Sequence, residues 1–328
     1  MILTSAMKLL EYLRWPYGYP TNNGFWGEIT STIDWCEENY VVSSYVAEWS
    51  NTLSNSVFVL TALYTTYCSY RNKLEARFIL VGVGFALVGI GSWLFHMTLQ
   101  YKYQLLDELP MLYATCIPTW SIICDFSECF GRRTDEHNNL MNTNKTKQWM
   151  IGIFVFSFVT ILSVIYIIFK NPSIHQIAYA ILNGFIVVAS NNMTSRQVKD
   201  NKAKKNLYTS MSIGVIMFAI GFILWNLDNQ FCSFWVRLRR NYIKLPFGIF
   251  FELHAWWHFL TGTGVYYYII YLQYQRILLQ YQTDQFSLIW RWGVLPEIVG
   301  KNHNMRTNYS IELGGPYIKR GSNGIKNI

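Results

Sequence analysis

The sequence predicts an all-α protein, a bundle of seven transmembrane helices. Three observations predict it. Only 14% of the 328 residues are charged, against about 25% in an ordinary soluble domain, while 52% are hydrophobic. Charge is largely kept out of seven apolar stretches, each near the roughly 20 residues that a helix needs to cross a bilayer. Basic residues collect instead in the short connections. That pattern reads as membrane orientation, so the net charge of +8 does not point to a nucleic-acid partner.

In chain order the spans are expected at about 49–70, 78–98, 107–126, 148–169, 174–194, 207–227 and 247–272. Spans one, two, four and six contain no Asp, Glu, Lys or Arg. On span two, Gly82, Gly84, Gly89 and Gly91 leave little bulk, which permits close approach of a neighbouring helix. Span three is the least regular: Asp107 and Glu108 open it, Asp125 lies near its end, and Pro110 and Pro118 interrupt it. Pro110 is expected in the first turn, where a missing N–H costs little. The chain thus divides into an N-terminal segment 1–48, a helical bundle 49–272 and a polar tail 273–328, in which Trp290 and Trp292 suit the membrane interface. No internal repeat or soluble domain is visible. Met1–Leu10 is short, and Lys8 and Arg14 follow its apolar residues, so the first span is expected to serve as the targeting signal.

An odd number of spans puts the termini on opposite sides. The N-terminal segment and the loops on its side carry 8 Lys and Arg residues; the remaining loops and the tail carry 19. The positive-inside rule therefore places the C-terminus in the cytosol and the N-terminus in the lumen. The sequons at Asn144, Asn192 and Asn308 then lie at or beyond the cytosolic side, and no glycan is expected on them. Of the six cysteines, Cys68, Cys124 and Cys129 lie near the cytosolic side and Cys116 in mid-span. Only Cys36 and Cys232 face the lumen, where disulfides persist, and they are expected to pair.

Ionisable residues inside spans are expensive and mark function by default. His254 and His258 are four apart, so a helix puts both on one face, the spacing of paired zinc ligands. The Glu of an H-E-x-x-H motif is missing, so a general base must come from elsewhere. His96, at the far end of span two, is a plausible third ligand, with Ser92 one turn before it and Asp107 just after the connecting loop. The topology brings all of these toward one membrane face. Three protein ligands with an open fourth position is the arrangement of a catalytic zinc. The bland alternative for each histidine is a hydrogen-bonded packing residue. His175 reads as structural, and His137 and His303 sit in polar flanks on the opposite side.

A second constellation is acidic. Between Arg14 and Arg71 there is no Lys or Arg, while Glu28, Asp34, Glu37, Glu38 and Glu48 lie there. Asp34, Glu37 and Asn39 offer the hard oxygen ligands that calcium takes, although the spacing is no EF-hand. Helix capping and a solvated acidic loop are the alternatives.

The runs Trp26–Tyr40, Gly91–His96, Leu105–Met111 and His254–Gly262 closely resemble the alkaline ceramidases, and most closely the fungal type that cleaves phytoceramide and dihydroceramide. The resemblance extends from about residue 15 through the tail. It implies an intramembrane zinc held by His96, His254 and His258, with Ser92 and Asp107 beside the metal-bound water. It also implies a calcium site on Asp34, Trp35 (through its backbone carbonyl), Glu37, Asn39 and Glu48.

The expected activity is hydrolysis of a ceramide amide to a sphingoid base and a fatty acid, in the membrane of the endoplasmic reticulum or Golgi. Asp107 is the expected general base, Ser92 the donor to the oxyanion, and Zn2+ and Ca2+ the cofactors. The substrate stays among membrane lipids, and no obligate protein partner is implied. Two rivals belong to other classes. A seven-helix lipid receptor with a relic zinc site would not need Asp107 and Ser92, and a di-iron lipid desaturase needs about eight histidines where this chain has six. A transporter would show a repeat partner for the polar residues.

Overall fold

The computed structural model describes residues 11–72, 74–131, 145–279 and 286–300. Asn144, Asn308, His137, His303 and the side chain of Cys129 fall outside the described residues. The helices are α1 (Trp49–Ser54), α2 (Ser56–Arg71), α3 (Ala76–Thr98), α4 (Tyr101–Gly131), α5 (Lys145–Phe169), α6 (Pro172–Gln197), α7 (Asn201–Gln230), α8 (Cys232–Leu238) and α9 (Leu253–Leu279). Two short antiparallel pairs accompany them: β1 (Asn23–Gly24) with β2 (Gly27–Glu28), and β3 (Phe286–Arg291) with β4 (Leu295–Gly300).

Among the described residues, four helices are long and apolar enough to cross a membrane: Ala76–Thr98, Thr146–Phe169, Pro172–Gln197 and Asn201–Gln230. Their outer faces fit that role. On α5 the large apolar side chains of Met150, Phe154, Ile161, Ile168 and Phe169 are exposed, an arrangement that water disfavours and lipid does not. The other three expected spans are helical too, but each departs from a plain apolar rod. Span one breaks at Asn55, leaving 16 residues in α2. Span three is a 31-residue helix that starts at Tyr101, so Pro110 lies in its interior and not in a first turn. Span seven starts at Leu253, because Phe247–Phe251 forms a 3-10 turn.

The chain forms two compact units, and five helices contribute residues to both. The first comprises Met1–Thr61, Leu87–Pro110 and Gly214–Val265. Here the N-terminal segment folds onto the end of α3. Leu99 ends that helix in a left-handed conformation, φ 49°, which a branched residue adopts at a cost of roughly 1 kcal/mol. Its carbonyl accepts the N–H groups of Thr30 and Ser31 at 3.1 and 3.0 Å, and its side chain joins Tyr40, Ala47 and Phe95 in a buried cluster. Cys36 and Cys232 form the expected disulfide, with Cα atoms 5.2 Å apart.

The second unit comprises Ala62–Ala86, Met111–Ile213 and Tyr266–Ile328. Leu112, Cys116, Val155, Val159, Ala178 and Leu182 make its apolar core. α6 starts cleanly, with Pro172 in its first turn and the Asn171 side chain accepting the Ser173 N–H at 3.0 Å. The tail, expected to be a polar flank, instead carries the β3–β4 hairpin. Phe286, Leu288 and Ile298 are buried by it, and Tyr266 and Tyr267 donate to the Pro296 and Val294 carbonyls, each at 2.6 Å.

Candidate metal centre

His96 lies in the last turn of α3, and His254 and His258 in the first two turns of α9. All three are buried, and one ligand atom of each lies within 4.8 Å of the others. The ring centroids are 4.5–5.1 Å apart. The spacing of four residues thus does what it predicted, and the third ligand arrives from α3. Among the described residues no other His, Cys, Asp or Glu cluster of this kind is found.

The donor set fits zinc. Protein zinc sites hold the second ring nitrogen of each histidine with an acceptor, which fixes tautomer and orientation. His96 Nδ1 meets the Glu48 carboxylate in a short contact. His258 Nδ1 lies 3.1 Å from the Asn51 carbonyl and 2.8 Å from Ser54 Oγ. All three partners come from α1 or its entry, so the break at Asn55 has a use: it turns polar groups of the first span toward His258. His254 stacks on Trp35, 4.1 Å between centroids and 17° between planes, and its Nδ1 is buried without a hydrogen-bond partner. Asn51, Ser54 and Trp35 escaped the sequence reading in these roles, since nothing in their spacing points at α9.

Ser92 is buried and hydrogen-bonds the Asp107 carboxylate. This pair depends on a close helix approach. Pro110 cannot donate to the Leu106 carbonyl four residues earlier, which leaves that oxygen free of its usual helical partner. A Cβ added to Gly91 would collide with the same carbonyl. Gly91 therefore lets α3 settle against α4 one residue before Ser92, beside Asp107. Glu108, the other carboxylate, is buried and takes a hydrogen bond from Gln104 at 3.3 Å.

The acidic residues divide differently. Glu37 is buried and accepts the Ser50 and Asn51 N–H groups at 2.6 and 2.8 Å, closing the N-terminus of α1. Burial and the adjacent Glu48 charge push its carboxyl up to about 7. Asp34 is more exposed and accepts from the Trp35 N–H and the Asn39 amide. Two further oxygens, Asn39 Oδ1 and Glu48 Oε1, are buried without a hydrogen-bond partner. Unpartnered buried oxygens beside mutually repelling carboxylates fit a hard cation such as calcium. The capping alternative is thus realised at Glu37 without using up Asn39 or Glu48.

The profile of the ceramidase family matches residues 27–299. Alkaline ceramidase YPC1 of Saccharomyces cerevisiae is 50% identical over 313 residues, 95% of this chain and 98% of its own length. Alkaline ceramidase 3 of Mus musculus is 38% identical over 270 residues, 82% of this chain and 93% of its own length. Alkaline ceramidase 1 of Homo sapiens is 30% identical over 238 residues, 71% and 78% of the two chains.

Proposed function

This chain belongs to the ceramidase family, and from that premise we propose that it hydrolyses the amide bond of ceramide with a zinc ion held by His96, His254 and His258. The observation that carries the zinc reading is the convergence of three buried imidazoles, two with an outer nitrogen already engaged. When bound, zinc supplies Lewis-acid activation of water at neutral pH. The chain's own residues do the rest. Asp107 accepts the proton of the attacking water and returns one to the leaving amine. Ser92 donates its O–H to the Asp107 carboxylate at rest; once Asp107 is protonated it can donate to Ser92 Oγ instead, which frees the Ser92 O–H for the oxyanion that develops on the carbonyl oxygen. The nucleophile needs a base from outside the His254–His258 turn, and Asp107 is the carboxylate in hydrogen-bond contact with Ser92.

Calcium on Asp34, the Trp35 carbonyl, Glu37, Asn39 and Glu48 belongs to the same reading, supported by the two unpartnered oxygens. The seven spans would be α1 with α2, then α3, α4, α5, α6, α7 and α9. The Cys36–Cys232 bridge supports a luminal N-terminal side, because disulfides persist there, and the basic loops support a cytosolic C-terminus. An endoplasmic reticulum or Golgi membrane and a phytoceramide or dihydroceramide substrate follow from the fungal resemblance.

Asp107→Asn tests the mechanism, since it keeps shape and hydrogen bonding but cannot take the proton. Zinc content measured on purified protein should stay near wild type, while sphingoid-base release falls by about 10²–10⁴. Turnover within a few-fold of wild type would remove Asp107 from the base role.

A further inference from the structure

Ceramide is neutral, so the proposed reaction gives the basic residues of the second unit no substrate to hold. Five of them fall within residues 196–205, which end α6 and start α7: Arg196, Lys199, Lys202, Lys204 and Lys205, against the single acid Asp200. The fold uses Asp200 itself, whose Oδ1 accepts the Lys202 and Ala203 N–H groups at 2.8 and 3.4 Å and caps α7. Lys204 spans the turn and donates to the Ser195 carbonyl at 3.0 Å. Arg196, Lys199, Lys202 and Lys205 stand exposed. Both α6 and α7 are long and apolar enough to cross a membrane, so the turn between them lies where lipid headgroups begin. The β3–β4 hairpin brings an apolar element to the same level. Trp290 packs on Tyr267, 6.4 Å between ring centroids, and its Nε1 donates at 3.4 Å to Oδ1 of Asn206, the residue after Lys205. In the hairpin turn the Val294 N–H bonds the Arg291 carbonyl at 3.0 Å, which holds Trp292 outward, 85% exposed, with Val294 58% exposed beside it. Trp292 adopts φ 49° there, a left-handed conformation that costs about 1 kcal/mol. Neither the exposure nor the strain gains anything in water, whereas an indole at a membrane interface is stabilised.

We propose that the α6–α7 turn and the hairpin tip together bind anionic phospholipid headgroups. Arg196, Lys199, Lys202 and Lys205 attract the headgroup charge, and Trp292 and Val294 seat in the interfacial layer beside it. Charge complementarity excludes the neutral substrate as the occupant. A soluble phosphate would satisfy the lysines and leave Trp292 and Val294 in water. A lipid satisfies both, and the two spanning helices already bring headgroups to the turn. Each Lys or Arg near an anionic membrane surface contributes about a fivefold factor in affinity, so four of them discriminate charged from neutral headgroups without a deep pocket. The site is independent of the metal and of the reaction.

The test uses full-length protein in micelles of a neutral detergent, titrated with phosphatidylserine or with phosphatidylcholine of the same acyl chains, and bound lipid is counted by native mass spectrometry. Wild type should prefer phosphatidylserine, and the preference should shrink as ionic strength rises. The triple variant Lys199→Gln, Lys202→Gln, Lys205→Gln should bind phosphatidylserine at least about tenfold more weakly and phosphatidylcholine as before. Its zinc content and melting temperature should match wild type. Trp292→Ala should weaken retention of phosphatidylserine by a few-fold. Arg237→Gln, which removes an exposed basic residue of α8, is the control and should leave the preference intact. A wild type indifferent to headgroup charge, or a triple variant that keeps the preference, would overturn the proposal. Full displacement of phosphatidylserine by millimolar inorganic phosphate would make this a free-anion site, and tighter binding of a polyglutamate peptide would make it a protein-docking face; either result overturns it. Trp292→Ala indistinguishable from wild type would remove the hairpin from the site and overturn the composite surface.

Discussion

Two buried polar constellations of this molecule are built on opposite logic. In the first unit, His96, His254 and His258 converge without a single cation among them, the outer nitrogens of His96 and His258 tied off by Glu48, Asn51 and Ser54. In the second unit, Glu75, Arg77, Asp125 and Arg276 form an ionic cluster. Arg77 pairs with Glu75 at 2.5 Å, Arg276 with Glu75 at 3.1 Å and also with Asp125, while Arg77 donates to Ser121 at 2.7 Å and lies over the Trp120 ring. Among these four residues two cations meet two anions, and their charges balance. The histidines present lone pairs that call for a positive charge; the ionic cluster calls for nothing. A buried ionisable group in a membrane helix is therefore a weak sign of chemistry until its partners are counted, and the sign becomes strong when like donors converge unbalanced.

The sharpest way to break this contrast is to remove one member from each side. His258→Ala should lose nearly all bound zinc and all measurable ceramide hydrolysis, because two imidazoles do not make a zinc site. Zinc stoichiometry by elemental analysis and product release from the same preparation check both halves. Full zinc occupancy in this variant would place the metal elsewhere.

Arg276→Met should act on stability and not on chemistry. It removes a buried cation from beside Asp125 and Glu75, and breaking a buried pair in this way typically costs about 3–5 kcal/mol. Thermal unfolding should show that loss, with zinc per folded molecule unchanged. Adding Asp125→Leu removes the stranded charge and should restore most of the stability, since a buried pair replaced by apolar groups is often neutral. If the double variant were as unstable as the single one, the cluster would be more than a balanced set of charges.

Much of this was legible in the sequence, for identifiable reasons. Long apolar runs have few alternatives, so α3, α5, α6 and α7 cover the expected spans two, four, five and six. The four-residue histidine spacing survives because α9 is regular there, and the disulfide followed from which cysteines share a compartment. What escaped was long-range or irregular. The break at Asn55 cannot be read from a uniformly polar-and-apolar run such as Trp49–Ser56, yet it delivers Asn51 and Ser54 to His258. Asp228 carried no signal, because the Leu253 N–H that it accepts lies 25 residues along the chain, in α9. The β3–β4 hairpin hid in a tail judged by its average polarity, although Phe286, Leu288 and Ile298 alternate onto one buried face. Pro110 was expected in a first turn, but α4 begins at Tyr101, and the freed Leu106 carbonyl became the seat of Gly91.

The smallest expected effect comes from the carboxylate next to the proposed base, and it sharpens the comparison within a single turn. Asp107 and Glu108 are adjacent on α4, so their side chains leave the helix about 100° apart and cannot serve the same centre. Asp107 takes the direction of Ser92, while Glu108 accepts from Gln104 one turn earlier. Gln104 in turn accepts from the Thr32 N–H at 2.8 Å, so Glu108 lies on a path that steadies the N-terminal segment. Glu108→Gln keeps an acceptor of the same size in the same place and removes only the charge. It should therefore change turnover by no more than a few-fold and leave zinc content untouched, with at most about 1 kcal/mol lost from the weakened contact to Gln104. Steady-state assays of Asp107→Asn and Glu108→Gln side by side measure the contrast directly. Equal losses in the two variants would mean that the local field of both carboxylates, and not a single aimed base, carries the chemistry.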